Sequence, residues 1–129
     1  MAKKTSPAPS APPAEPDALK LARRCVAFAQ DKKALDPVIL DLRKISGITD
    51  YLVICAAQSE PQIKAIANGV EKELKEELGR YPLAVDGFPT SQWIVIDYGE
   101  VMLHIFHEQK RAVYALEDLW SDAPQVPVV

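Results

Sequence analysis

From Trp93 to Phe106 the chain is almost wholly apolar, yet its residues sort cleanly by parity. Strand side chains alternate between the two faces of a sheet. Two strands joined around Tyr98-Gly99 would set Trp93 opposite His104 and Val95 opposite Met102 on one face. Ile94 would then meet Leu103 and Ile96 would meet Val101 on the other face. A two-residue loop would place Asp97 against Glu100, a like-charge pair that costs stability, whereas a loop spanning Asp97 to Glu100 keeps the same faces without that cost. One face is thus purely aliphatic, as a core requires. The other carries Trp93, Val95, Met102, His104 and Phe106, the aromatic and methionine mixture found where proteins dock. Alternation leaves two readings of that face open: a second helical layer covers it, or a partner does.

The remaining elements follow from the same patterns. Ala18, Leu21, Ala22, Cys25, Phe28 and Ala29 recur at helical spacing behind Asp17, a candidate cap. Pro37 opens a strand through Val38–Leu42, with Asp41 and Arg43 sharing its less apolar side with Ile39. Tyr51–Ala56 is a continuous apolar run of the kind buried on both faces in a central strand. Ser59 with Gln62 forms a capping box ahead of a helix whose stripe is Ile63, Ile66, Ala67, Val70, Leu74 and Leu78, with Gly79 as its stop. Leu83–Val85 is a short strand closed by Asp86-Gly87. A last helix from about Lys110 to Trp120 places Val113, Leu116 and Trp120 on one side and Tyr114 elsewhere. The order is α-β-β-α-β-β-β-α, an α/β fold with a mixed, roughly five-stranded sheet packed with helices. The unit from Tyr51 to Val85 favours a right-handed parallel crossover.

Composition narrows the picture. Residues 1–16 are rich in Pro, Ala and Ser and predict a disordered tail; residues 17–121 form one domain; residues 122–129, with two prolines, predict a flexible C-terminal tail. A net charge of −3 over 129 residues argues against gripping nucleic acid through phosphate contacts and suits a basic protein partner. Cys25 and Cys55 sit in apolar patterns and read as buried hydrophobes in a reducing compartment. No apolar run is long enough to span a bilayer, and the N-terminus has the features of neither a signal nor a transit peptide, so the cytoplasm is expected.

Candidate chemistry is sparse. His104 and His107 lie three apart on a strand and point to opposite faces, so they do not chelate one ion. No nucleophile elbow or phosphate-cradling glycine pattern occurs. Two-metal nucleotidyl transfer needs adjacent carboxylates on one strand face, but Asp41, Asp50, Asp86 and Asp97 stand singly, and Asp50 reads as a turn cap. No catalytic residue, metal or cofactor is expected, which points to a binding protein.

Three segments carry a family resemblance. Ile48-Thr49-Asp50-Tyr51-Leu52-Val53-Ile54-Cys55, the run from Gly87 through Trp93 to Phe106, and Tyr114-Ala115-Leu116-Glu117-Asp118-Leu119-Trp120 together resemble the ribosomal silencing factor family, also called Iojap. The likeness spans about Ala18 to Ser121. It implies a nucleotidyltransferase-like fold without catalytic acids. It also implies a non-enzymatic factor that binds the large ribosomal subunit through its universal protein number fourteen. Such a factor sterically blocks joining of the small subunit and lowers translation when nutrients are scarce; related members act in large-subunit assembly, and some form homodimers. The competing reading is a divergent nucleotidyltransferase, which would require a carboxylate pair.

Carried onto this chain, the family's hairpin falls on Trp93, Asp97, Tyr98, Gly99, Glu100 and His104, and its last helix on Tyr114, Leu119 and Trp120. Combining this with the face derived from alternation, the expected partner-binding residues are Trp93, Val95, Met102 and His104, with Tyr98 at the loop tip, Glu100 as an acidic rim, and Tyr114. Tyr98 stands where an aliphatic residue also occurs in the family. Trp120 is read as core.

Overall fold

The computed structural model describes residues 15–87 and 92–128; the Pro- and Ala-rich leader lies, through residue 14, outside the described residues. Helix α1 (Asp17–Asp31) buries Leu21, Ala22, Cys25, Phe28 and Ala29 along one stripe. Asp17 does not cap it. Pro16 holds the cap position and Asp17 begins the first turn, where a carboxylate suits the helix dipole. Helix α2 (Glu60–Leu78) is capped by Ser59, whose hydroxyl accepts from the Gln62 N–H at 3.2 Å. The Gln62 side chain reaches back one residue further than a capping box requires, accepting from the Gln58 N–H at 2.7 Å. At the other end Gly79, at φ 64°, turns the chain, and the Arg80 N–H closes on the Leu74 carbonyl.

Among the described residues, six strands form one mixed sheet: β1 (Leu35–Asp41), β2 (Tyr51–Ala57), β3 (Ala84–Gly87), β4 (Trp93–Asp97), β5 (Val101–His107) and β6 (Gln125–Val126), in the order β3-β4-β5-β2-β1-β6. All seven residues of β2 are buried, as its uninterrupted apolar run predicts. Its parallel neighbour is β5, in register from Tyr51 opposite Val101 to Ala57 opposite His107. Strand β3 runs in the same direction as β2 but lies at the sheet's edge, beyond β4 and β5.

Other sequence expectations also need correction. The β4–β5 hairpin pairs Trp93 with Phe106, Val95 with His104 and Asp97 with Met102, not Trp93 with His104. The turn is centred on Gly99-Glu100, with the Tyr98 N–H bonded to the Val101 carbonyl at 2.9 Å. Gly99, at φ 92°, supplies the left-handed conformation, and the Asp97 carboxylate accepts from its N–H at 2.7 Å. Moving the turn centre by one residue shifts every pair by two, so the assignment of residues to faces survives.

The last helix is two pieces, α3 (Glu108–Tyr114) and α4 (Leu116–Leu119), broken at Ala115 with φ 49°. The break takes Val113 off the stripe of Leu116 and Trp120 and leaves it 69% exposed. The segment expected as a flexible C-terminal tail instead supplies β6, pairing Val126 with Ile39 and Gln125 with Leu40. Pro124 and Pro127 do not prevent this, because an edge strand needs ladder donors on one side only. Their carbonyls accept from the Asp41 N–H and the Arg23 guanidinium, and Val126 and Val128 pack on the core.

The sheet has a core on each face. Helices α1 and α2 cover the face holding Val53, Cys55, Ile96, Leu103 and Ile105. Ile39 belongs to this core and is fully buried, so its side of β1 is not the exposed one. On the other face a smaller cluster gathers Leu40, Leu42, Leu52, Ile54 and Phe106, with Trp93, Met102, Leu116 and Trp120 partly buried against it.

Candidate docking face

Five of the seven residues expected to bind a partner share the second face. Trp93 and Val95 come from β4, Met102 and His104 from β5, and Tyr114 from the end of α3. The aromatic rings form one stack: Trp93 lies 4.9 Å from Phe106 and 4.5 Å from Tyr114, and Phe106 lies 5.6 Å from Tyr114. Such offset contacts hold large amphipathic side chains in place at small entropic cost. Tyr114 is 48% exposed, so the stack reaches from the small core to the surface. The helical-layer reading therefore holds only in part: α3 and α4 lie over this face, and neither contributes a buried residue.

His104, expected as a contact, lies almost wholly beneath this face. It is 8% exposed, and its Nδ1 accepts the Trp93 indole N–H at 3.0 Å. Burial pushes its pKa down to about 4, so the ring is neutral near pH 7. His104 thus orients Trp93 from behind. His107 points away and caps α3, its Nδ1 accepting from the Gln109 N–H at 3.1 Å.

Tyr98 is not at a loop tip. With the turn centred one residue later, it shares parity with Ile94 and Ile96 and enters the α1/α2 core, 2% exposed. Burial, then the nearby Cys25 thiol and Glu71, raise its phenol above the ordinary value. Glu100 occupies the turn and forms a half-buried ion pair with Arg80 at 2.6 Å. Burial is the largest single influence and opposes the charge of Glu100, but the Arg80 hydrogen bond, a backbone hydrogen bond and the Arg80 charge together hold the carboxyl below its ordinary range. The same guanidinium donates to the Tyr98 carbonyl at 3.2 Å, tying the hairpin to the end of α2.

The carboxylates are placed for structure. Asp41 chelates the Arg43 guanidinium, whose hydrogen bond depresses its pKa, and Asp97 serves the Gly99 turn. Turn bonding before β2 falls to Thr49, whose hydroxyl donates to the Gly99 carbonyl at 3.0 Å, where Asp50 was expected. Among the described residues no three His, Cys, Asp or Glu side chains gather as a metal-holding group. Cys25 and Cys55 are buried thiols, and desolvation pushes both up to about 12.

Sequence reasoning missed residues beside the stack. Ile48, in the loop before β2, is 68% exposed and lines a cleft with Leu116 and Trp120. A single apolar residue between Gly47 and Thr49 was the available signal. No helix among the described residues is long and apolar enough to cross a membrane.

Comparison with known proteins bears on the family. Residues 15–129 match the family model described as "Ribosomal silencing factor during starvation". The ribosomal silencing factor RsfS of Halalkalibacterium halodurans is 40% identical over 107 residues, 83% of this chain and 91% of that protein. The chloroplastic protein Iojap of Arabidopsis thaliana is 30% identical over 110 residues, 85% of this chain and 45% of its own length. A crystal structure from Chromobacterium violaceum superposes with a TM-score of 0.76 at 28% identity, covering 84% of this chain and 88% of the other. One from Bacillus halodurans gives 0.72 at 37% identity, covering 84% and 97%.

Proposed function

The chain belongs to the ribosomal silencing factor family, and from that premise we propose that it acts by occlusion. It binds the large ribosomal subunit through the subunit's universal protein number fourteen, stands where the small subunit must dock, and so represses translation under nutrient limitation in the cytoplasm. Occlusion needs no cofactor, energy source or catalytic group. A patch of about 800 Å² with a few aromatic anchors is enough for a specific complex.

The observation that carries the reading is the half-covered aromatic face. Trp93 is held by His104, Phe106 and Tyr114 beside exposed Ile48, on a chain with net charge −3. Val95 and Met102 extend the face along the hairpin. Glu100 lies at its end, already paired with Arg80, so it contributes acidic potential more than a bare charge. A second copy of the chain would mask the same apolar surface in the unbound protein, so dimerisation and ribosome binding compete.

Sedimentation of separated ribosomal subunits, with and without the protein, at magnesium concentrations that favour joining, tests the proposal. Co-migration with the large subunit and loss of joined particles is the expected result. Protein at the top of the gradient, with subunits joining normally, would sink it.

A further inference from the structure

Beside the aromatic stack lies a cleft of about 170 Å³, between β5, the loop into β2, and α4. Leu52 and Met102 line it from the sheet, Leu116 from α4, Trp120 from the residue that ends α4, and Ile48 from the loop. An apolar pocket of about 150 Å³ accepts a benzene ring. A cleft of 170 Å³ therefore suits one side chain of leucine to phenylalanine size.

Its polar groups are few and their states are determined. The Thr49 hydroxyl proton is spent on the Gly99 carbonyl at 3.0 Å. His104 lines the cleft, and its Nδ1 already accepts the Trp93 indole proton. A neutral imidazole carries one proton, so that proton sits on Nε2. No described residue accepts from Nε2. The cleft therefore combines an apolar lining with a single hydrogen-bond donor and no cation, a match for an apolar residue and its backbone carbonyl.

We infer that this cleft is a socket for one leucine- to phenylalanine-sized side chain of the docking protein, with the His104 Nε2–H donating to a backbone carbonyl at its mouth. The inference rests on the docking reading and names what the face takes from its partner. The cleft is continuous with the stack, since His104 belongs to both: its ring centroid lies 5.8 Å from that of Trp93. Trp93 thus contributes in two ways, as surface and as the group that sets the His104 tautomer.

The test uses the full chain and three probes: N-acetyl-phenylalaninamide, N-acetyl-leucinamide and N-acetyl-glycinamide. NMR shifts of the Met102 methyl and the Trp120 indole N–H report on the cleft. Saturable shifts with the first two probes, at least about tenfold weaker with the third, are expected. They should disappear in Leu116→Trp, which fills the cleft. Ile48→Trp, at the exposed rim, serves the same purpose if the first variant does not fold. Linear shifts, or equal shifts with the glycine probe, would overturn the socket.

In sedimentation, the filled variants should bind the large subunit at least about tenfold more weakly than the parent. Folded variants that bind equally well would overturn the socket while leaving docking intact. A parent chain that binds the probes but never the large subunit would overturn the docking reading, and with it a protein side chain as the occupant.

Discussion

On one face of the sheet, α1 and α2 lay Leu21, Cys25, Phe28, Ile63, Ile66, Val70 and Leu74 onto β2, β4 and β5. On the other, α3 and α4 bring no buried residue, and Trp93, His104, Phe106 and Tyr114 pack on one another beside a small cluster of Leu40, Leu42, Leu52 and Ile54. The difference is one of helix length. Helices of 15 and 19 residues present an apolar stripe several turns long. Pieces of seven and four residues cannot. The same strands therefore have one face closed by long helices and one only partly covered. Stability is concentrated on the first, and the second is the face proposed to dock.

The largest expected effect comes from the closed face. Ile66→Ala, at a fully buried position in α2, should lower the unfolding free energy by about 3–4 kcal/mol. Chemical denaturation measures this, and large-subunit binding by the folded fraction should be unchanged. Leu119→Ala, at a residue 70% exposed on α4, should shift stability by no more than about 0.5 kcal/mol. Equal losses from the two would erase the contrast.

Acid should act next, through the open face. In the unfolded chain a histidine titrates near 6.5, whereas His104 in the fold titrates at about 4. Between those values the unfolded state binds the extra proton, so its contribution is complete above pH 6.5, declines as pH falls toward 4, and is level below that. The loss across the window should be about 3 kcal/mol. Urea midpoints between pH 7.5 and 4 should show it, and His104→Phe should remove that part of the slope; a parent-like slope in the variant would assign the loss to other groups.

Trp93→Ala should weaken binding to the large subunit by about 2 kcal/mol while the protein stays folded. Unchanged affinity in a folded variant would remove Trp93 from the docking surface. A smaller effect than that of Trp93→Ala is expected where the open face is only clamped. Arg111 bonds the Glu117 carboxylate at 3.0 Å and the Asp36 carbonyl at 2.6 Å, holding α3, α4 and β1 together. Arg111→Ala should cost about 1 kcal/mol and speed amide exchange across residues 108–120 without touching α1 or α2. Uniform acceleration would mean the two faces unfold as one unit.

Much of this was legible in the chain. The α1 and α2 stripes, the buried β2 and the two-faced hairpin all follow from period, and the hairpin faces tolerated a misplaced turn because the error in register was two residues. Tyr98 was not legible. Its side depends on whether the turn begins before or after it, and that is decided by Gly99 at φ 92°, the Asp97 and Thr49 bonds to Gly99, and the Arg80–Glu100 pair. Those partners come from three separate stretches of sequence. The break at Ala115 was hidden for a related reason: alanine is a strong helix former, and its left-handed conformation here accompanies the Arg111 bonds to β1 and Glu117.

Local order thus came from the sequence directly: which segments are helix or strand, and which residues of the hairpin share a face. Periodicity acts over a few residues and needs no partner to be read. The tertiary structure alone decided that β5 lies beside β2, that the C-terminal residues close the sheet as β6, that Tyr98 is core, and that His104 stands behind Trp93 beside a cleft. Each of these depends on contacts between residues far apart in the chain, where geometry is set by which surfaces can be buried together and no local pattern records the choice.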